Sequence, residues 1–159
     1  MKKILVLVVV FSVMMSSCSS SKRVVKNNNK PMTKVDRIVT NALKFQGVRY
    51  RFGGTTSSGI DCSGVVYVAF GDENIHLPRV SRDMAKKGRK IALSKVKKGD
   101  LLFFRTSNRR KSINHVGLVV SHKKGEISFV HATSSKGVIV SLLSEKYWKK
   151  AFVKATKIL

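Results

Sequence analysis

The chain has 159 residues, of which 43% are hydrophobic and 25% are charged. This is the composition of a globular protein of one domain, so disordered and collagen-like classes are excluded. Lys and Arg total 32 against 8 Asp and Glu, which gives a formal net charge of +24. Such an excess predicts an anionic partner but says nothing about the fold. Two cysteines are too few for a disulfide-stapled scaffold.

The first 17 residues have the pattern of an export signal. Lys2 and Lys3 precede an apolar run at 4–15, which is too short to cross a bilayer because a transmembrane helix needs about 20 residues. The small residues that follow end at Cys18 and resemble a bacterial lipobox. We therefore expect residues 1–17 to be removed and Cys18 to be lipidated. An ordinary cleaved signal that leaves a free cysteine is the alternative.

The segment 18–34 is predicted to be a flexible tether. It is rich in Ser, Asn and Lys and offers little that a core could bury. Ser19 follows the candidate lipidated cysteine, which is similar to the pattern of lipoproteins in the outer membrane of many Gram-negative bacteria. We expect an exported protein that is lipid-anchored to the cell envelope, in the outer membrane and facing the periplasm. Its folded domain would occupy residues 35–159.

The first helix of this domain is predicted from apolar residues that recur at helical spacing. They run from Val35 to Leu43, and Gly47 is a suitable stop signal. Thr33 and Asp36 are alternative start signals. The sequence therefore predicts an amphipathic helix at the start of the domain.

A second helix is predicted to begin at Cys62, after a loop at 50–59 that is rich in Gly and Ser. Asp61 is a suitable N-cap for it. The run 62–70 is apolar on all sides and predicts a buried central helix. A β-strand is the alternative, because the run is rich in β-branched residues. A further short helix is expected at 81–87.

The second half of the domain is predicted to form β-strands. Short apolar or alternating runs, separated by turn residues, lie at 101–104, 116–120, 127–132, 138–143 and 152–158. Helices followed by a strand meander indicate an α+β fold, with the helices packed on one face of an antiparallel sheet.

Three side chains are candidates for nucleophilic catalysis: Cys62, His115 and His131. A thiol at a helix start and near an imidazolium has a lowered pKa, which favours the reactive thiolate. The two histidines would meet if their strands pair as a hairpin about Lys124–Gly125. His131 would then orient the ring of His115, as the third member of a triad does.

Each of these residues also has a structural interpretation. A cysteine in an apolar helix is usually a small buried hydrophobe, and a lone histidine in a strand is usually structural. A zinc site is a further alternative, but CxxC and HxxxH spacings are absent from the sequence. We predict no metal and no cofactor. His76 and His122 are interpreted as surface residues.

Several short blocks of the chain form a recognisable series. They are Tyr50-Arg51-Phe52-Gly53-Gly54, Asp61-Cys62-Ser63-Gly64, Leu77-Pro78-Arg79, Gly99-Asp100-Leu101-Leu102-Phe103-Phe104, His115-Val116-Gly117 and Val130-His131-Ala132. Their order resembles that of the NlpC-type cell-wall endopeptidases, a papain-like family, over about residues 35–159. Lys98, which stands where proline is common, and the very basic loop 105–114 depart from the family pattern.

The resemblance implies a papain-like α+β fold and a cysteine peptidase. It makes Cys62 the nucleophile, His115 the general base and later acid, and His131 the residue that orients His115. Tyr50 matches a tyrosine that lines the site.

Two further positions match residues that hold the free amino end of the substrate. These are Asp61 and Ser63, although a plain helix cap explains Asp61 equally well. Arg79 and Asp100 are interpreted as structural.

The implied reaction is hydrolysis of an amide bond in the stem peptides of peptidoglycan through a thioester acyl-enzyme. The bond is either D-γ-glutamyl–diamino acid or the D-alanyl–diaminopimelate cross-link. We expect a monomer that binds peptidoglycan and, through its lipid, a membrane. Nucleic acid is not expected as a partner, because the basic residues lack a nucleic-acid-binding motif. The alternative function is that of a non-catalytic cell-wall binding lipoprotein.

Overall fold

The computed structural model describes residues 31–107 and 112–159. Its helices are α1 (Lys34–Leu43), α2 (Cys62–Gly71), α3 (Ser81–Met84) and α4 (Lys146–Ala151). Its strands are β1 (Thr55–Thr56), β2 (Gly59–Ile60), β3 (Arg89–Ile91), β4 (Leu101–Phe104), β5 (His115–Lys123), β6 (Glu126–Thr133), β7 (Gly137–Leu142) and β8 (Phe152–Lys157). The predicted signal, Cys18 and most of the predicted tether lie outside the described residues.

Helix α1 begins where a capping box closes its first turn. The Thr33 side chain accepts a hydrogen bond from the Asp36 N–H, and the Asp36 carboxylate accepts one from the Thr33 N–H. Thr33 is thus the start signal, and the helix begins one residue before the predicted domain boundary. It ends at Leu43, four residues before Gly47, which lies in the following turn with a φ of +84°.

Helix α2 is the buried central helix that the sequence predicts. Asp61 is its N-cap, and Val65, Val66 and Phe70 have no exposed surface. They pack in one cluster with apolar residues of α1 and of the sheet. The helix is therefore confirmed, and the alternative of a β-strand is wrong.

Six strands form one antiparallel sheet in the order β3–β8–β4–β5–β6–β7. Strands β4 to β7 make the expected meander, and β8 returns to pair with β4 on its other side. The predicted α+β layout is confirmed.

The sheet is covered on both faces rather than on one, which corrects the prediction. Alternate residues such as Leu118 and Val130 join the cluster beneath α1 and α2. Their neighbours, among them Phe129, join a second cluster that contains Trp148 of α4. All four residues of β4 are buried, as expected for a strand with a layer on each face.

Short elements account for the remaining differences. Helix α3 ends at Met84 and is shorter than the predicted helix at 81–87. The predicted loop at 50–59 contains the two-residue strand β1 and leads into β2, and β3 and α4 were not predicted at all. Among the residues that the structure describes, no helix is both long enough and apolar enough to cross a membrane.

Candidate active site

The start of α2 is fixed by hydrogen bonds to the Asp61 carboxylate. One oxygen accepts the Gly64 N–H at 2.7 Å, and the other accepts the Gly53 N–H at 2.7 Å. Gly64 lies so close to the Gly54 carbonyl oxygen that a Cβ at this position would collide with it. The helix start is therefore pressed against the preceding glycine loop, which sets the position of Cys62.

Arg79 reinforces the same junction. Its guanidinium makes two hydrogen bonds of 2.9 Å to the Asp61 carboxylate, one to each oxygen. It also donates to the Ser63 hydroxyl and to the Gly54 carbonyl, each at 2.9 Å. Burial alone would raise the pKa of Asp61, but the bonds from Arg79, Gly64 and Gly53 outweigh it and hold that pKa below its ordinary value.

The same network contains Asp61 and Ser63, whose expected contact with the substrate stays a prediction. They are only 6% and 7% exposed, and their polar atoms bind one another and Arg79. Neither is among the described residues that line the cleft beside Cys62. Their position is that of supports for the helix start, which agrees with the interpretation of Asp61 as a cap and of Arg79 as structural.

Cys62 is the first residue of α2, as predicted, and is 8% exposed. Burial raises the pKa of its thiol, while hydrogen bonds from the Val116 and Ser63 backbone amides act in the opposite direction. The net shift is upward, so the expected lowering of this pKa is not found.

The two histidines lie on adjacent antiparallel strands joined at Lys124–Gly125, as predicted. The register shifts by one residue at Val120, between Val119 and Ser121. A one-residue shift changes the face on which every earlier side chain lies. Continued from the bulge, the register sets His115 diagonally across from His131 on the same face of the sheet.

The rings of His115 and His131 are hydrogen-bonded to each other. Nε2 of His115 lies 3.1 Å from Nδ1 of His131, which leaves Nδ1 of His115 for another partner. Burial lowers the pKa of His115 to about 4, and Asp61 opposes that shift. Burial, together with the charge of His115, lowers the pKa of His131 to about 3. Both rings are therefore neutral at pH 7, as a general base and its orienter require.

The sequence-predicted residues Tyr50, Cys62 and His115 meet in one open cleft of about 640 Å³. His131 lies behind it, with no exposed surface. The cleft is further lined by polar residues from β6, β7 and their connection, and by residues from the start of α4. Burial raises the pKa of Tyr50, with a smaller contribution from Cys62, so its hydroxyl is protonated at neutral pH and can donate a hydrogen bond.

Two aromatic residues of α4 complete the site and were missed by the sequence analysis. Tyr147 is 55% exposed at the cleft, whereas Trp148 is 6% exposed and packs against both histidine rings. The adjacent aromatic residues Tyr147 and Trp148 could have indicated a contribution to the site. Six residues rich in Lys carry too little periodicity to predict a helix there.

The remaining titratable candidates lie away from this cleft. Asp100 accepts a hydrogen bond from the Lys97 N–H at 2.7 Å, a structural role, as predicted. His76 is exposed, but His122 is half-buried with Nδ1 2.7 Å from the Val96 carbonyl oxygen, which corrects its interpretation as a surface residue. Within the described ranges, no cluster of three or more His, Cys, Asp or Glu residues could hold a metal ion.

Comparisons with known proteins identify relatives of this chain. A family model described as NlpC/P60 family matches residues 47–157. The murein DD-endopeptidase MepS/murein LD-carboxypeptidase of Escherichia coli K12 is 39% identical over 124 residues, which cover 77% of this chain and 62% of that protein. The gamma-DL-glutamyl hydrolase of Bacillus subtilis is 38% identical over 121 residues, which cover 75% of this chain and 28% of that protein. The chain thus spans only about three fifths of the length of MepS.

The fold is also shared with solved structures. A crystal structure of an NlpC/P60 family protein from Bacillus cereus superposes with a TM-score of 0.71 at 25% identity, over 81% of this chain and 41% of that chain. The predicted papain-like fold, with a nucleophile helix packed on an antiparallel sheet, is therefore confirmed. The chain belongs to the NlpC/P60 family.

Proposed function

We propose that the protein is a cysteine endopeptidase that hydrolyses amide bonds in the stem peptides of peptidoglycan. The observation that carries this proposal is that a helix-start cysteine lines one cleft together with His115, which is hydrogen-bonded to the buried His131. Digestion of purified peptidoglycan by the protein and by its Cys62→Ser variant tests it.

The first chemical step follows from the free nitrogen of His115. Nδ1 of His115 takes the proton of the Cys62 thiol as the sulfur attacks the scissile carbonyl carbon. Because Nε2 then donates to Nδ1 of His131, the positive charge that develops on His115 is held next to a hydrogen-bond acceptor. A neutral resting pair suits this step, since burial disfavours both thiolate and imidazolium before the substrate binds.

The second half of the reaction returns the proton. His115 gives it to the leaving nitrogen, the C–N bond breaks, and a thioester joins the acyl group to Cys62. A water molecule then attacks the thioester, His115 accepts one of its protons, and the thiolate leaves and is reprotonated. The Cys62 backbone N–H, at the open end of α2, is the proposed oxyanion donor, worth about 3–4 kcal/mol of the barrier.

The bond that we propose is the D-alanyl–diaminopimelate cross-link. The similarity to MepS, which is named as a murein DD-endopeptidase, favours it. The D-γ-glutamyl–diamino acid bond is the second candidate, favoured by the similarity to a protein named as a gamma-DL-glutamyl hydrolase. Both reactions release a diamino acid amine and use the same chemistry at Cys62.

We also propose that the protein acts as a monomer at the cell envelope, tethered by lipid on Cys18, and in the outer membrane. The lipobox-like sequence and Ser19 support this location. The formal charge of +24 supports attraction to the anionic cell wall, which would concentrate the enzyme on its substrate. A non-catalytic wall-binding protein would need neither the cleft that Cys62 shares with His115 nor the hydrogen bond between His115 and His131.

A further inference from the structure

Trp148 contacts both rings of the histidine pair. It is stacked on His115, with centroids 5.2 Å apart and planes at 23°, and it is nearly perpendicular to His131, with centroids 4.5 Å apart and planes at 74°. The two histidines are themselves nearly perpendicular, at 81°. One indole ring thus restrains two imidazoles that must keep a fixed angle to each other.

Two phenylalanine rings also pack against the histidine pair. Phe129 is stacked on His131 with centroids 4.7 Å apart, and Phe104 lies 5.9 Å from His115 at a tilted angle. Nε2 of His131 is buried and has no hydrogen-bond partner among the described residues. The ring of His131 is therefore oriented by one hydrogen bond, to His115, and otherwise by packing.

Helix α4 brings Trp148 to this position from the far end of the chain. Trp148 joins the apolar cluster on the sheet face opposite α2, and it also lines the cleft. It consequently stands between open water and the bond that links His115 to His131. Loss of the indole would let water compete for that bond and would free the His115 ring to rotate away from the sulfur.

We propose that Trp148 is a positioning residue that holds the imidazoles of His115 and His131 in their hydrogen-bonded geometry and excludes water from the bond between them. The expected effect of Trp148 on turnover rests on the proposed function. Its structural part, the shielded bond, is independent of any activity.

The first test reads the shielded bond directly. The ring proton between the two histidines should give a downfield proton NMR signal at pH 7 that exchanges slowly with water. In Trp148→Phe, which keeps an aromatic face, the signal should persist. In Trp148→Leu it should disappear or exchange at least tenfold faster, and an unchanged signal in Trp148→Leu would overturn the proposal.

The second test reads turnover on peptidoglycan fragments. A misplacement of about 1 Å in a catalytic group costs about 100-fold in rate, so Trp148→Leu should lower kcat by about 10- to 100-fold with KM changed less than about threefold. The kcat of Trp148→Phe should stay within about tenfold of that of the parent. Lys149 is the exposed neighbour on α4, and Lys149→Ala should have the same kcat as the parent. A loss confined to KM would contradict the positioning role. If the parent itself shows no turnover, the proposed function fails while the NMR result still stands.

Trp148→Leu could fail to fold, and a third measurement covers that case. Trp148 is the one tryptophan of the chain, so tryptophan emission reports on the surroundings of this ring alone. Protonation of a stacked imidazole should quench its emission as the pH falls, with a midpoint below 6.5, while far-ultraviolet circular dichroism confirms that the protein remains folded. His115→Gln should remove most of this change. Emission that titrates identically in both proteins would exclude the proposed contact.

Discussion

His115 and His131 lie diagonally across β5 and β6, and the extra residue Val120 in β5 places both rings on one face of the sheet. Without that bulge, the turn at Lys124–Gly125 would set the two histidines on opposite faces. The hydrogen bond of the proposed triad thus depends on a strand irregularity five residues from His115. Glycine at 117 belongs to the same arrangement, because a Cβ there would collide with the ring of Phe129.

The role of His131 as a hydrogen-bond partner predicts a graded response to substitution. Asn or Gln at this position keeps a group that can accept from His115, so His131→Asn and His131→Gln should retain part of the activity. His131→Ala should lose most of it, roughly 100-fold or more, since the His115 ring is then unrestrained. The measurement is kcat on peptidoglycan fragments. Equal losses in all three variants would show that His131 does something else.

The protonation state of the resting thiol gives a pH prediction. Burial raises the pKa of Cys62, so the thiolate fraction is small at neutral pH and grows about tenfold per pH unit towards the alkaline range. In a Cys18→Ser background, iodoacetamide should therefore modify Cys62 slowly at pH 6 and progressively faster above pH 8. A rate that is high and constant from pH 5 to 7 would instead indicate a thiolate–imidazolium pair. His115→Gln serves as the control, because it cannot form such a pair.

The ion pair at the start of α2 predicts an effect on stability. Arg79→Gln leaves the carboxylate of the buried Asp61 without its charged partner. Because the Arg79 side chain is 29% exposed and partly screened by solvent, we expect a loss of roughly 1–3 kcal/mol in the free energy of unfolding.

A matched control is available on α1. Arg37 makes a similar two-oxygen contact with Glu73, but its side chain is 46% exposed. Arg37→Gln should therefore lower the free energy of unfolding less than Arg79→Gln does. Urea unfolding of both variants makes the comparison, and equal losses would mean that Arg79 is no more than a surface ion pair.

The excess of positive charge predicts that wall binding depends on salt. Attraction between exposed charges is screened over about 8 Å at physiological ionic strength and over about 3 Å at 1 M. Sedimentation of the protein with purified cell walls should therefore decrease as the salt concentration rises. Binding by the Cys62→Ser variant should show the same dependence, since the thiol carries no part of it. Salt-independent binding would refute an electrostatic attraction to the wall.

Most of the scaffold that carries the site could be predicted from local signals. Asp61 before an apolar run indicates a capped, buried helix, and Lys124–Gly125 between two apolar runs indicates a hairpin. A helix cap and a hairpin turn depend on residues that are neighbours in sequence, so they can be predicted without knowledge of distant contacts. They were sufficient to place Cys62 at a helix start and the two histidines on paired strands.

Features that depend on distant contacts could not be predicted in this way. The bulge at Val120 adds one residue without breaking the apolar run, so its effect on the face of His115 is invisible in the sequence pattern. The hydrogen bonds that Asp61 and Ser63 accept from Arg79 join residues that are distant in sequence. The upward shift in the pKa of Cys62 comes from enclosure by neighbouring elements, which outweighs the expected effect of a helix start.

The most direct test of the proposed activity is digestion of purified, cross-linked peptidoglycan with the full-length protein, followed by mass analysis of the products. Cleavage of the D-alanyl–diaminopimelate cross-link should convert cross-linked muropeptides into monomers that retain their complete stems. The Cys62→Ser variant, folded to the same extent by circular dichroism, should release none. If the parent protein leaves the muropeptides intact, or if the variant cleaves them equally well, then Cys62 is not the nucleophile of a peptidoglycan endopeptidase.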